Sequence, residues 1–330
     1  MKFGPVPPAQ ATGSILAHSL ELNSKKLRKG LTLTPDHVAQ MIAAGVSSVT
    51  VAELEPSDLH EDTAAARFAQ ALVSPDSPLI LTEAFTGRVN ILAPGPGVAL
   101  LDPDRLHAAN AVHPMITVAT VPDFQQLGRR GMIATVKIIA YGVPKADINI
   151  ASDLARQAIS FAPVTLKSAT LIVTEIPGGV GEKGVAAIRN RLELLGMSLA
   201  SVETVPHAEA PLTDALARVK TDLALILTGS ATSDPLDVAP QAVRLAGGQV
   251  DRFGMPVDPG NLLFVGALAD RPVIGLPGCA RSPALNGADW VLSRIACGLP
   301  VTQNDIARMG VGGLLKEIPT RPMPRNGRRR

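Results

Sequence analysis

What most constrains this chain is a change of rhythm near residue 160. From there on, apolar runs of strand length alternate with amphipathic runs of helix length. "ATLIVTEI" (169–176) is a buried-type strand. "EKGVAAIRNRLELLG" follows it, with Val185, Ile188, Leu192 and Leu195 at helical spacing and Gly196 as the stop. "MSLASVETV" and "APLTDALARVK" repeat the step, and "DLALILT" supplies a third strand. "NLLFVGAL" with "RPVIGLPG" reads as a hairpin, and "SPALNGADWVLSRIACG" as a closing helix with Ser282 as its cap. Strands joined by helical crossovers pair in parallel and need cover on both faces. The expected fold class is α/β: a three-layer sandwich with a mostly parallel sheet over 161–318, preceded by a smaller mixed α/β or β-rich region over 1–160. Ligands on such sheets bind beyond the carboxyl ends of the strands, so the loops of interest are 177–184, 205–210, 228–240 and 276–282.

The first 160 residues are less regular. Thr34 and Pro35 open a helix carrying Val38, Met41 and Ile42 on one face, Gly45 closes it, and "SSVTVAEL" follows as a strand. "HEDTAAARFAQALV" is a second helix, with Glu61 and Asp62 favouring the dipole of its first turn. "RVNILA", "GVALL", "ITVATV" and "MIATVKIIAYGV" are short β-like runs, and the region divides into one or two small subdomains. Aromatics make up 3% of the chain and net charge is +2, so neither base-stacking platforms nor a basic face argue for nucleic acid. Residues 319–330, rich in arginine, read as a disordered basic tail. No apolar run approaches membrane-spanning length and no signal peptide is evident, so no membrane partner is expected. Cys279 and Cys297 form no C-x-x-C pair, which points to a reducing cytoplasm. His18, His37, His60, His107 and His113 show no ligand spacing, so no metal site is assigned to them.

The chemistry concentrates in "LTGSATSDPLDVAP" (227–240), directly after the third strand. Thr228, Ser230, Thr232 and Ser233 supply hydroxyls, and Gly229 permits close backbone approach. Asp237 stands where it would cap a helix beginning near Val238, and the N–H groups at a helix start suit a phosphate. Asp234 and Asp237 would repel a bare phosphate unless a cation bridges them or they meet other parts of the ligand. The expected ligand is therefore phosphorylated and also offers donors to a carboxylate, as a pterin or nucleobase does. The plain alternative is that Asp237 only caps. "GLPGCARSP" (275–283) adds Pro277, Gly278, Cys279 and Ser282 on a neighbouring rim loop. A competing pattern is Gly179, Gly181 and Gly184, a formal G-x-G-x-x-G, with Glu203 placed to grip a ribose. That arrangement would make the protein a nicotinamide-dependent oxidoreductase.

"TGSATSDPLDVAP" and "GLPGCARSP" together resemble the molybdopterin-binding domain family, across about residues 168–300. The whole chain is most similar to the molybdopterin-binding half of proteins that carry a fused cytidylyltransferase-like domain. It also resembles the central domain of molybdopterin molybdenumtransferase. The resemblance implies an α/β binding domain for molybdopterin or the molybdenum cofactor, acting in biosynthesis or handling of that cofactor. Asp237 takes the family's acidic, catalytic position. Nucleotidyl or molybdate transfer, with Mg²⁺ as helper, are the activities it implies, beside the alternative of a non-catalytic scaffold presenting cofactor to a separate cytidylyltransferase. Homo-oligomers and a molybdoenzyme-maturation partner belong to the same expectation. Four positions depart from the family pattern. Ser230 replaces a glycine, His207 an aspartate, Asn261 a lysine and Cys279 an asparagine. The loop of Gly179, Gly181 and Glu182, with His207, forms the second candidate rim.

Overall fold

The computed structural model describes residues 1–22, 25–179 and 182–315; Gly181 and the expected tail at 319–330 lie outside them. In chain order the elements begin β1 (Lys2–Val6), β2 (Ile15–Leu16), β3 (Leu20–Leu22), β4 (Lys25–Leu27), α1 (Pro35–Ala43), β5 (Val49–Glu53), β6 (Asp58–His60) and α2 (Glu61–Leu72). Next come β7 (Ile80–Leu81), β8 (Arg88–Leu92), β9 (Gly97–Leu101), α3 (Pro103–Asn110), β10 (Ile116–Thr120), β11 (Gln126–Leu127), β12 (Met132–Ile138), β13 (Gly142–Pro144), α4 (Lys145–Leu154) and β14 (Ile159–Pro163). The remainder is β15 (Ser168–Glu175), α5 (Val185–Leu194), β16 (Ser198–Pro206), α6 (Glu209–Arg218), β17 (Leu223–Leu227) and α7 (Val238–Leu245), then β18 (Gln249–Phe253), β19 (Phe264–Leu268), β20 (Arg271–Leu276), α8 (Gly287–Ala296) and α9 (Gln303–Arg308). Two compact units result. Residues 1–94, 99–123 and 129–161 make the first, and 95–98, 124–128 and the chain from 162 onward make the second.

Antiparallel pairing dominates the first unit, in the orders β1-β5-β2 and β10-β12-β8-β7. Thr34 caps α1 as its sequence implies, through a reciprocal pair of bonds with His37. Ala64, Ala65, Phe68, Ala69 and Leu72 of α2 are fully buried, and the alanines let that helix lie close on β8 and β12. Its first residue, Glu61, is buried beside Lys137 at 3.8 Å. Desolvation raises the Glu61 pKa, Lys137 opposes the rise, and Asp62 adds to it. A carboxyl with a raised folded-state pKa stabilises the fold below its ordinary value of 4.5 and loses that contribution as pH rises through the raised value. The urea midpoint of the wild type, relative to Glu61→Gln, is expected to fall as pH rises from 4.5 towards neutrality. A flat difference would contradict the assignment.

The second unit is built on a six-stranded mixed sheet in the order β16-β15-β17-β20-β19-β18. β16, β15, β17 and β20 run parallel, β19 returns antiparallel to β20, and β18 pairs antiparallel with β19 and so runs in the direction of the first four. Alternate residues serve opposite faces. Leu171, Val173, Leu225 and Leu227 pack with Ile188 and Leu192 of α5 and with Val291 and Leu292 of α8. Ile172, Ala224 and Ile226 pack with Leu212 and Leu216 of α6 and with Ala242 and Val243 of α7. Helices therefore lie on both faces. One expectation is corrected: Ser282 ends a 3-10 turn at Gly278–Arg281 and does not cap the closing helix. That role belongs to Asn286, whose Oδ1 accepts the Ala288 N–H at 2.9 Å while Asp289 accepts the Asn286 N–H at 2.8 Å.

Candidate functional site at the carboxyl edge of the sheet

The parallel registers bring the strand ends side by side. Val173 pairs with Leu227, Leu227 with Leu276, and Glu175 with Pro206. Segments 177–179, 182–184, 228–237 and 277–282 and residue His207 thus lie at one edge of the sheet. Because β19 is antiparallel, with Phe264 opposite Gly275, Asn261 reaches that edge too, though β20 separates it from β17. Asn261 is exposed, and its amide donates to the Met255 carbonyl at 3.4 Å.

Within 228–237 the hydroxyls divide. Thr228 and Thr232 are buried with their Oγ1 atoms 3.4 Å apart, while Ser230, Ser233 and Asp234 face solvent. Gly229 donates its N–H to Thr174 Oγ1 at 3.0 Å, and a Cβ there would stand 2.6 Å from the Thr174 carbonyl oxygen. Only glycine fits so close to the end of β15. Thr174 Oγ1 also lies 2.8 Å from His207 Nδ1, so one buried hydroxyl ties three strand ends together. Thr174→Val keeps the shape and strands the Gly229 N–H, a loss of about 1–3 kcal/mol. Amides of 228–233 are expected to exchange faster with deuterium in that variant, and Thr174→Ser to restore them.

Asp237 caps α7. Its Oδ1 accepts the Val238 N–H at 2.7 Å and its Oδ2 the Ser233 N–H at 3.0 Å. The Gln241 N–H returns to the Asp237 carbonyl at 3.0 Å, and Pro240 has no N–H to give. Among the described residues only the Ala239 N–H is left without a partner in the first turn, on a residue 1% exposed. The helix start already holds an anion, the Asp237 carboxylate, in the capping role that was the plain alternative for this residue. Asp234 Oδ1 closes a local turn by accepting the Leu236 N–H at 2.7 Å.

The strongest electrostatic feature is Arg281. Its Nη1 donates to the Lys183 carbonyl at 2.6 Å and its Nη2 to the Thr228 carbonyl at 2.7 Å, which staples three rim segments together. Burial lowers its pKa, and among the described residues no carboxylate comes within ion-pair distance. Two neutral carbonyls orient the guanidinium and leave its charge unneutralised, where a reduced dielectric strengthens its field. Gly184, at φ +102°, starts α5 against it, and a Cβ there would fall 2.8 Å from Arg281 Cα. Behind this loop Arg191, 8% exposed, pairs with Asp289 at 2.6 Å. It also donates to the carbonyls of Ala280, Ser282 and Ala284 at 2.9, 2.8 and 3.0 Å. Gly278 is exposed with open space about it, Cys279 is half-buried, and Pro277 is buried.

On the second glycine loop, the Gly179 N–H closes a turn onto the Ile176 carbonyl at 2.8 Å, and Glu182 is exposed. Glu203, placed by its spacing to grip a ribose, sits inside β16 and is paired with Arg218. Among the described residues no group of three or more His, Cys, Asp or Glu is arranged to hold a metal. Thr174, Arg191 and Arg281 had escaped sequence reasoning. Arg281 lay inside a quoted motif, whereas Thr174 is one hydroxyl at the end of an apolar strand and Arg191 one charge on a helix.

The fold and rim together define an α/β protein with ligand-type loops gathered at one edge of a mixed sheet. A model for a domain of unknown function, DUF8806, matches residues 5–53. No curated protein is similar enough to this chain to count as a relative. Among solved structures, the chain is similar to the molybdopterin biosynthesis MoeA protein of Pyrococcus horikosii, at 14% identity and a TM-score of 0.32, over 90% of this chain and 76% of that one. It is similar to the molybdopterin biosynthesis enzyme MoaB of Thermus thermophilus, at 20% identity and a TM-score of 0.29, over 41% of this chain and 99% of that one. A molybdenum cofactor biosynthesis protein of Pyrococcus furiosus is similar at 12% identity and a TM-score of 0.26, over 93% of this chain and 65% of that one.

Proposed function

We propose that the chain binds molybdopterin or the molybdenum cofactor at the rim of 228–237 and 275–282, within an α/β sandwich domain spanning 161–318. The observation that carries this reading is the unneutralised, half-buried Arg281 guanidinium where those loops meet. The terminal phosphate of the ligand lies against Arg281 and the exposed backbone at Gly278. The pterin, rich in N–H donors, faces Ser230, Ser233 and Asp234 on the solvent side of the neighbouring loop. Asp237 holds that loop in shape through the Ser233 and Val238 N–H groups. His207 and Asn261 stand where the resembled family carries an aspartate and a lysine. His207 is tied to Thr174 and Asn261 to the Met255 carbonyl, so the reading is binding and handling of cofactor rather than transfer.

Calorimetric titration of molybdopterin into the wild type, Asp237→Ala and Gly229→Val tests it. A saturable heat is expected for the wild type and a weakened one for both variants, with circular dichroism verifying that each is folded. Negligible heat from all three would remove the proposal.

A further inference from the structure

One peptide group links Arg281 to His207. Its carbonyl, on Thr228, accepts from Arg281 Nη2 at 2.7 Å, and its N–H, on Gly229, donates to Thr174 Oγ1 at 3.0 Å. His207 Nδ1 lies 2.8 Å from the same hydroxyl. The members of this chain fix its direction. A guanidinium and a backbone N–H can only donate. Thr174 is 1% exposed, so its hydroxyl proton has to find an acceptor inside the protein. Among the described residues the acceptor it meets is His207 Nδ1. A neutral imidazole with its proton on Nδ1 would leave that buried O–H unsatisfied, so the proton stands on Nε2. Every bond then points the same way, from the Arg281 cation towards His207, and bonds aligned in series polarise one another. The chain ends on an Nε2–H without a partner among the described residues, on a half-buried ring at the carboxyl edge of the sheet.

The Arg281 guanidinium meets the chain just past the end of β17, and His207 directly follows β16. β15 lies between those strands, so the two donors stand about 10 Å apart, two strand spacings. That is too far for one phosphate and suits the two ends of one ligand. We propose that His207 is a specificity-determining residue of the rim, its Nε2–H donating to a ring carbonyl of the ligand. This rests on the reading of the rim as a pterin-phosphate site and adds which heterocycle it takes: an oxo ring, not an amino ring. A 4-oxo group accepts the Nε2–H, whereas a 4-amino group would set donor against donor. With its proton on Nε2, His207 neither ligates a metal nor acts as a base through that nitrogen.

The phosphate ester of 6-hydroxymethylpterin and its 2,4-diamino counterpart, titrated separately into the full chain by fluorescence, test the choice. The oxo probe is expected to bind about tenfold or more tightly than the diamino probe, because a wrong partner leaves polar groups of the site unpaired. His207→Leu should erase the preference. His207→Gln should bind both probes, since a free amide turns to offer either its N–H or its carbonyl. Thr174→Val should narrow the preference, because the ring can then carry its proton on either nitrogen. The imidazole ¹⁵N spectrum of the ligand-free protein should show His207 protonated on Nε2, and protonation on Nδ1 would contradict the aligned chain. Equal affinity of the wild type for the two probes, or a preference that survives His207→Leu, would overturn the role of His207 and leave the rim reading standing. Saturation by neither probe would remove the inference and, with no heat from molybdopterin, the rim reading as well.

Discussion

Arg191→Met is expected to lower the stability of the second unit by about 3–5 kcal/mol, the range for breaking a buried ion pair by removing one partner. The substitution leaves Asp289 and the carbonyls of Ala280, Ser282 and Ala284 facing an apolar side chain of similar length. Asp289 also completes the capping box of α8, so the damage extends to that helix start. Lysine is no substitute, because a single ammonium on a flexible stem cannot serve acceptors fanned around a planar fork. Urea unfolding with hydrogen exchange at 279–296 provides the measure. Wild-type protection there in Arg191→Met would show that the loop does not depend on this residue.

Arg281→Gln is expected to act on binding more than on stability. Glutamine still offers two N–H donors towards the Lys183 and Thr228 carbonyls, so the rim keeps much of its shape while the charge disappears. A hydrogen bond to a charged group contributes about 1.5–3 kcal/mol, so affinity for a phosphorylated pterin should fall about 10- to 100-fold. Arg281→Lys should recover part of that loss, since it restores charge without the fork. Comparing calorimetric affinities of the three proteins at two salt concentrations checks this. Equal affinity in wild type and Arg281→Gln would place the phosphate elsewhere.

How far the sequence foretold these features depended on whether their cause was local. Thr34 and Asp237 were legible as caps because an N-cap contact spans a few residues of one chain segment. The strands "ATLIVTEI" and "DLALILT" were legible because burial on both faces leaves a continuous apolar run. Ser282 was misread as the cap of α8 because serine suits a cap and the intervening 3-10 turn has no periodic signature; Asn286 lay four residues on. β18, "QVDRF", alternates too weakly to be seen, since it lies at the sheet edge. The site was half legible. Its loops were found, yet the groups that shape it act across long stretches of chain. Arg191 reaches residues 89–98 positions away, Thr174 one 55 away, and Arg281 others 53 and 98 away. Local spacing carries no trace of such contacts. At the start of α7 the capping alternative was legible as well: Pro240 removes one donor, and the Asp237 carboxylate accepts the Val238 N–H.

The most direct test of the account is a crystal structure of the protein soaked with molybdopterin. Density for the terminal phosphate within hydrogen-bond reach of the Arg281 guanidinium, with the pterin over 230–234, is the result the account requires. Phosphate density at the Gly179–Gly184 loop, or at the start of α7 in place of the Asp237 carboxylate, would contradict it.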